Sequence, residues 1–141
     1  MERRTDTEKK KEFLNSYQEE KRAVARLEEQ LAELTLNALH PSMGIGGGQG
    51  RTNTAHDLSD YIAEYDTLMS QIIKAKYKRI KAYQKVQESI EAMENEREKE
   101  LLTYRYLRGM KWEAIAVAMN YSWRKIHYLH RDALQHFKIC A

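Results

Sequence analysis

A chain of 141 residues with 42% apolar side chains, 32% charged ones and a single proline has the length of one domain, or of a small domain with an appendage, and the composition of a helical protein with long solvated faces. Its one cysteine, Cys140, excludes an internal disulfide, and no apolar stretch approaches the roughly 18–20 residues that span a bilayer. The formal charge of +3 is unevenly placed: residues 111–141 hold five bases (Lys111, Arg124, Lys125, Arg131, Lys138) against two acids (Glu113, Asp132), as expected of a nucleic-acid-binding end.

The charged start, Met1-Glu2-Arg3-Arg4, does not resemble an apolar signal core, so a cytoplasmic location is expected. The first element read from the pattern is a helix over 8–39. Phe13, Tyr17, Glu20, Val24, Leu27, Leu31, Leu34 and Ala38 follow a four-three spacing, and all but Glu20 are apolar or aromatic. Such a seam needs a partner helix to cover it.

Pro41 stops this helix, because it lacks a donor and disfavours a helical residue before it. Residues 41–55 read as a loop rich in glycine (Gly44, Gly46, Gly47, Gly48 and Gly50). A phosphate cradle would need a preceding strand and a following Gly-Lys-Ser/Thr, and neither is present, so the loop reads as a linker.

A second helix is expected over 56–92. Leu58, Tyr61, Ile62, Tyr65, Leu68, Met69, Ile72, Ile73, Ile80, Tyr83, Val86 and Ile90 keep helical spacing. A short linker favours an antiparallel pair with the first helix; the alternative is a seam that pairs with another copy, giving a homo-oligomer through the coiled coil. Charge along this hairpin is polarised. Residues 27–70 carry seven acids (Glu28, Glu29, Glu33, Asp57, Asp60, Glu64, Asp66) and one base, Arg51. Residues 74–85 carry six bases and no acid: Lys74, Lys76, Lys78, Arg79, Lys81 and Lys85. This basic run reads either as a solvated face of snorkelling side chains or as a stem lying near phosphates, with Lys78, Lys81 and, further on, Lys111 as candidate phosphate contacts.

Residues 94–108 read as a third helix with Leu101, Leu102, Tyr104, Tyr106 and Leu107 on its apolar face, ended by Gly109. Lys111 to Met119 is a short helix whose Trp112, Ile115, Ala116 and Met119 share one face. Asn120-Tyr121-Ser122 is a turn, in which Asn tolerates a left-handed backbone and Ser122 is suited to cap the next helix. The last helix is expected over 123–138. At 100° per residue, Leu129, Ala133 and Phe137 fall within about 60° of Ile126, while Arg124, Tyr128, Arg131 and Gln135 fall opposite, flanked by His127 and Lys138. Trp123 reads equally as packing or as contact with the DNA backbone. One face packs; the other offers groups that donate to base edges and phosphates.

The stretch EREKELLTYRYLRGMKWEAIAVAMNYSWRKIHYLHRDAL resembles the helix-turn-helix of region 4 of sigma-70 family factors. The likeness lies in the Glu-Arg-Glu lead, in Leu102, Tyr104 and Tyr106, in Trp112-Glu113-x-Ile115-Ala116, and in Ser122, Ile126 and Ala133-Leu134. With its hairpin and glycine loop the whole chain is similar to small phage and prophage late-gene transcription regulators of the ArpU and RinA type. The resemblance implies an all-α chain: a long antiparallel coiled-coil hairpin over 1–93, then a helix-turn-helix over 94–141. It also implies that Ser122 caps a recognition helix whose Trp123, Arg124, Lys125, His127, Tyr128 and Arg131 meet double-stranded DNA, in the cytoplasm of a bacterial host. Host RNA polymerase is a further partner it suggests. Region 4 usually has Gly in the turn and more Arg at the start of the recognition helix, where this chain has Asn120 and Trp123. Regions 2 and 3 of a sigma factor have no counterpart, which favours an accessory regulator over a complete sigma factor.

Two other readings share these features: a DNA-packaging protein like a small terminase subunit, and an interaction protein that contacts RNA polymerase alone. His127, His130, His136 and Cys140 lack the spacing of a metal finger, and no nucleophile–base or paired-carboxylate arrangement stands out. No enzyme activity, metal or cofactor is expected, and no membrane.

Overall fold

The computed structural model describes residues 5–39 and 54–140. These form five helices and no strand: α1 (Asp6–Leu39), α2 (Thr54–Glu91), α3 (Glu96–Leu102, running on into a π-helical turn at Thr103–Leu107), α4 (Trp112–Met119) and α5 (Trp123–His136). The glycine-rich loop read over 41–55 lies outside the described residues, except for Thr54 and Ala55, which already belong to α2. No helix is long and apolar enough to cross a membrane among the described residues.

α1 and α2 pack together and run in opposite directions. Tyr17 meets Tyr83 edge-on with ring centroids 5.1 Å apart, and Leu31 and Thr35 line a recess with Tyr61, Ile62 and Tyr65. The chain divides into two compact units, one made of residues up to Lys21 with those from Lys78 onward, the other of Arg22–Tyr77. This division cuts across the one at residue 93 drawn from the sequence.

In the unit Arg22–Tyr77, Val24, Ile72 and Ala75 are buried, while Leu27, Leu31 and Leu34 are half-buried. The α2 pattern splits here into two faces. Ile72 turns inward, but Leu58, Ile62 and Ile73 are 57%, 50% and 64% exposed. A helix presents only a stripe to a single partner, so an apolar set wider than that stripe leaves a remainder outside.

The other unit holds two clusters of apolar side chains on opposite sides of α3. Leu102, Tyr106 and Leu107 pack with Leu14 of α1, Val86 and Ile90 of α2, and Ala133, Leu134 and Phe137 at the end of α5. Leu101 faces the other way, into Ile115 and Met119 of α4 and Ile126 of α5. The α1 seam named Phe13, but the wholly buried residue is its neighbour Leu14, with Phe13 tilted against the Phe137 ring at 6.0 Å. The seam was read for one partner helix, and α1 here also covers the C-terminal elements.

α3 begins at Glu96, not at 94, because Asn95 caps it: the Asn95 Oδ1 accepts from the backbone N–H groups of Arg97 and Glu98. α5 ends at His136, not at 138. The buried Phe137 is extended (φ −70°, ψ 138°), and its burial pulls the chain off the helical path. The tail then returns to α2, where the Cys140 N–H donates to Ser89 Oγ at 3.2 Å.

Candidate nucleic-acid interface

The surface built by α4, the turn after it and α5 is set by backbone chemistry first. Lys111 stands at the start of α4 in extended conformation (φ −76°, ψ 154°). Asn120 adopts the left-handed conformation (φ 58°, ψ 44°), and two bonds close the end of the helix: Asn120 N–H to Val117 O at 3.2 Å and Tyr121 N–H to Ala116 O at 3.0 Å. This is a Schellman closure, normally served by Gly, with Asn in the left-handed position. Ser122 then caps α5: its Oγ accepts from the Lys125 N–H at 3.1 Å.

Ile126, Ala133 and Leu134 hold the inner face of α5 in the core, with less than 5% of each exposed. The outer face is solvent-facing: Trp123, Arg124, Lys125, Tyr128, Arg131 and Gln135 are all exposed. Its charges and rings interleave. The Arg124 and Arg131 guanidinium carbons lie 5.8 and 5.1 Å from the Tyr128 ring centre. Lys125 Nζ sits 4.1 Å over the Tyr121 ring, and the Arg97 guanidinium approaches the same ring at 5.7 Å. Cations held over rings keep their charge directed outward while losing rotamer freedom in advance of any contact. Arg131 also lies 3.4 Å from the Asp132 carboxylate, an exposed pair of small energetic weight.

His127 is placed differently from its neighbours. Its ring lies 3.9 Å from Trp123 and 5.2 Å from Trp112, half-buried between α5 and α4, and its Nε2 is buried without a hydrogen-bond partner. Trp123 is 60% exposed, yet one side of its ring covers that imidazole. Lys111 is exposed beside the start of α4, and Lys78 and Lys81 are exposed on α2.

The other histidines are drawn into the framework. His130 Nε2 and the Tyr106 hydroxyl are hydrogen-bonded at 2.8 Å, and His130 meets the Trp112 ring edge-on at 4.7 Å. Burial, reinforced by the charges of Lys11, Arg105 and His127, lowers the His130 pKa from 6.5 to about 4, so it is neutral at pH 7. Burial raises Tyr106 to about 12, opposed by Arg105. His136 Nδ1 lies 2.7 Å from Oε1 of Glu98, a carboxylate only 2% exposed.

Reading the sequence alone missed the groups that hold this surface from α1. Lys10 Nζ donates to Leu134 O at 2.8 Å, satisfying a carbonyl at the end of α5, and the Gln18 amide donates to Tyr106 O and Leu107 O at 3.2 Å each. It also missed Arg97 and Tyr121 on the outer surface; a tyrosine directly before a capping serine was the available signal. Comparisons with protein-family models, with curated proteins and with solved structures gave no match.

Proposed function

We propose that this chain is a sequence-specific DNA-binding regulator of transcription, of the phage and prophage type that its sequence resembles, with α4, the turn and α5 acting as a sigma region 4-like helix-turn-helix. The observation that carries the reading is the outer face of α5, where Arg124 and Arg131 flank Tyr128 while the opposite face is fully committed to the core. In this reading α5 enters the major groove. Arg124, Tyr128 and Arg131 meet base edges and sugars, and Ser122, Lys125 and Lys111 lie beside the phosphates. Trp123 contacts the backbone at the groove edge. A coiled-coil hairpin carries this module, with Lys78 and Lys81 extending the phosphate-binding surface and RNA polymerase as a further partner.

Fluorescence anisotropy with a labelled duplex carrying promoter DNA, and with random duplex, tests the reading. Binding is expected to weaken steeply as salt rises, and Arg124→Ala and Arg131→Ala each to cost about 1–3 kcal/mol of affinity for the promoter duplex and to narrow its preference over random duplex. Equal affinity for all duplexes, or a double variant that binds as the parent does, rejects it.

A further inference from the structure

Besides the seam that faces α1, α2 carries a second stripe one residue further round. Seam positions Tyr61, Leu68, Ile72 and Ala75 are buried or half-buried. The stripe lies one residue beyond Tyr61, Tyr65, Leu68, Ile72, Ala75 and Arg79, and consists of Ile62, Asp66, Met69, Ile73, Lys76 and Ile80. The spacing is four-three-four-three-four, that of a helix-pairing seam. Ile73 is 64% exposed; Ile62 and Ile80 each edge a recess that α1 also lines, with Leu31 and Tyr17, yet are 50% and 51% exposed; Met69 is half-buried, and Asp66 and Lys76 are exposed. Neither of those two charges is in an ion pair among the described residues.

We infer that this stripe is the contact by which two copies of the chain pair, α2 against α2 and antiparallel about a two-fold axis level with residue 71. The order of residues is its own complement about that point. Ile62 and Ile80, Asp66 and Lys76, and Met69 and Ile73 are pairwise equidistant from residue 71, so each layer matches a position of one copy with its mate in the other. Asp66 of one copy then meets Lys76 of the second, twice, between apolar layers. The surrounding charge agrees. Residues 57–66 carry four acids and no base, and the segment they would face, 76–85, carries Lys76, Lys78, Arg79, Lys81 and Lys85 and no acid. A parallel pairing would set Asp66 against Asp66 and Lys76 against Lys76, so like charges select the antiparallel register. The stripe is about 27 Å long at 1.5 Å per residue. This pairing is isologous and closes on two copies.

Sedimentation velocity on the full chain tests it, with the combined charge swap as the deciding variant. The parent is expected at twice the 16.7 kDa chain mass. Asp66→Lys and Lys76→Asp should each weaken pairing about a hundredfold, as breaking a desolvated ion pair does. The two together restore opposite charges in each layer and should restore the dimer, an outcome that damage to the fold would not produce. A monomeric parent, a ring of many copies, single variants that pair as the parent does, or a combined variant that stays monomeric would each overturn the assignment.

Discussion

The Tyr106 hydroxyl and His130 Nε2 lie 2.8 Å apart and join the π-helical turn to the middle of α5. Both groups are held neutral by burial, with His130 lowered to about 4 and Tyr106 raised to about 12. As pH falls from 6.5 towards 4, the unfolded chain takes up a proton at His130 that the folded chain refuses, so stability is lost across that window, by up to about 3 kcal/mol. Above pH 10 the unfolded chain ionises Tyr106 first, and stability falls again towards pH 12. Urea unfolding across pH should therefore give a plateau between about 6.5 and 10. Tyr106→Phe alone should cost about 1–3 kcal/mol by orphaning the imidazole, whereas Tyr106→Phe with His130→Leu should be nearly neutral at pH 7 and flatten the acid limb. A steep acid limb that survives in the double variant would assign it to other groups.

Gly109 has φ +67°, and a Cβ there would stand 3.2 Å from the Gln18 amide that holds the carbonyls of the π-helical turn. Gly109→Ala is expected to destabilise by about 1–3 kcal/mol, from the left-handed backbone together with displacement of that amide. Gln18→Ala should cost a similar amount, and the two losses should be less than additive because they share a partner. Strict additivity in chemical denaturation would separate the two sites.

Lys10 has a side chain only 14% exposed and donates to Leu134 O. Lys10→Met keeps most of the apolar stem and removes the ammonium, which should cost about 1–2 kcal/mol through a charged hydrogen bond and its placement at a helix C-terminus. For the same reason residues 94–141 expressed alone should not hold their helices, since Leu14, Val86 and Ile90 cover Leu102, Leu134 and Phe137. Cooperative melting of that fragment, followed by circular dichroism, would contradict the expectation.

His127 separates two accounts of α5. Its Nε2 is buried and unpartnered between two indole rings, a cost that an apolar ring would not incur. His127→Phe should raise stability by about 1 kcal/mol and leave duplex affinity within about twofold. A tenfold loss of affinity with unchanged stability would return His127 to the binding surface, where its position on the helical wheel had set it.

The helices themselves were legible because periodicity reports which side of a helix is apolar. Ile126, Ala133 and Phe137 were grouped on one face of the last helix by spacing alone, and all three are wholly buried. What periodicity does not report is the identity of the covering element. It placed Phe13 and not Leu14 in the α1 seam, and it pooled the two α2 stripes into one list. Long-range polar contacts such as Lys10 with Leu134 leave no local pattern at all, being separated by 124 residues. His127 escaped for a different reason: at about 100° from Ile126 it sits at the margin of the face, where the bulk of Trp112 and Trp123 decides its direction.

One unit of this protein is made from residues at both extremes of the sequence, with Lys10, Leu14 and Gln18 closing on residues beyond 100. A chain leaving the ribosome presents α1 first; α1 can meet α2 as soon as α2 emerges, but its contacts with Leu134 and Phe137 wait for the end of α5. The surface proposed to meet DNA is therefore complete only once α5 has been made. Any break, stall or premature stop before residue 134 yields a product without that surface, so binding competence itself reports that translation ran to the end of α5.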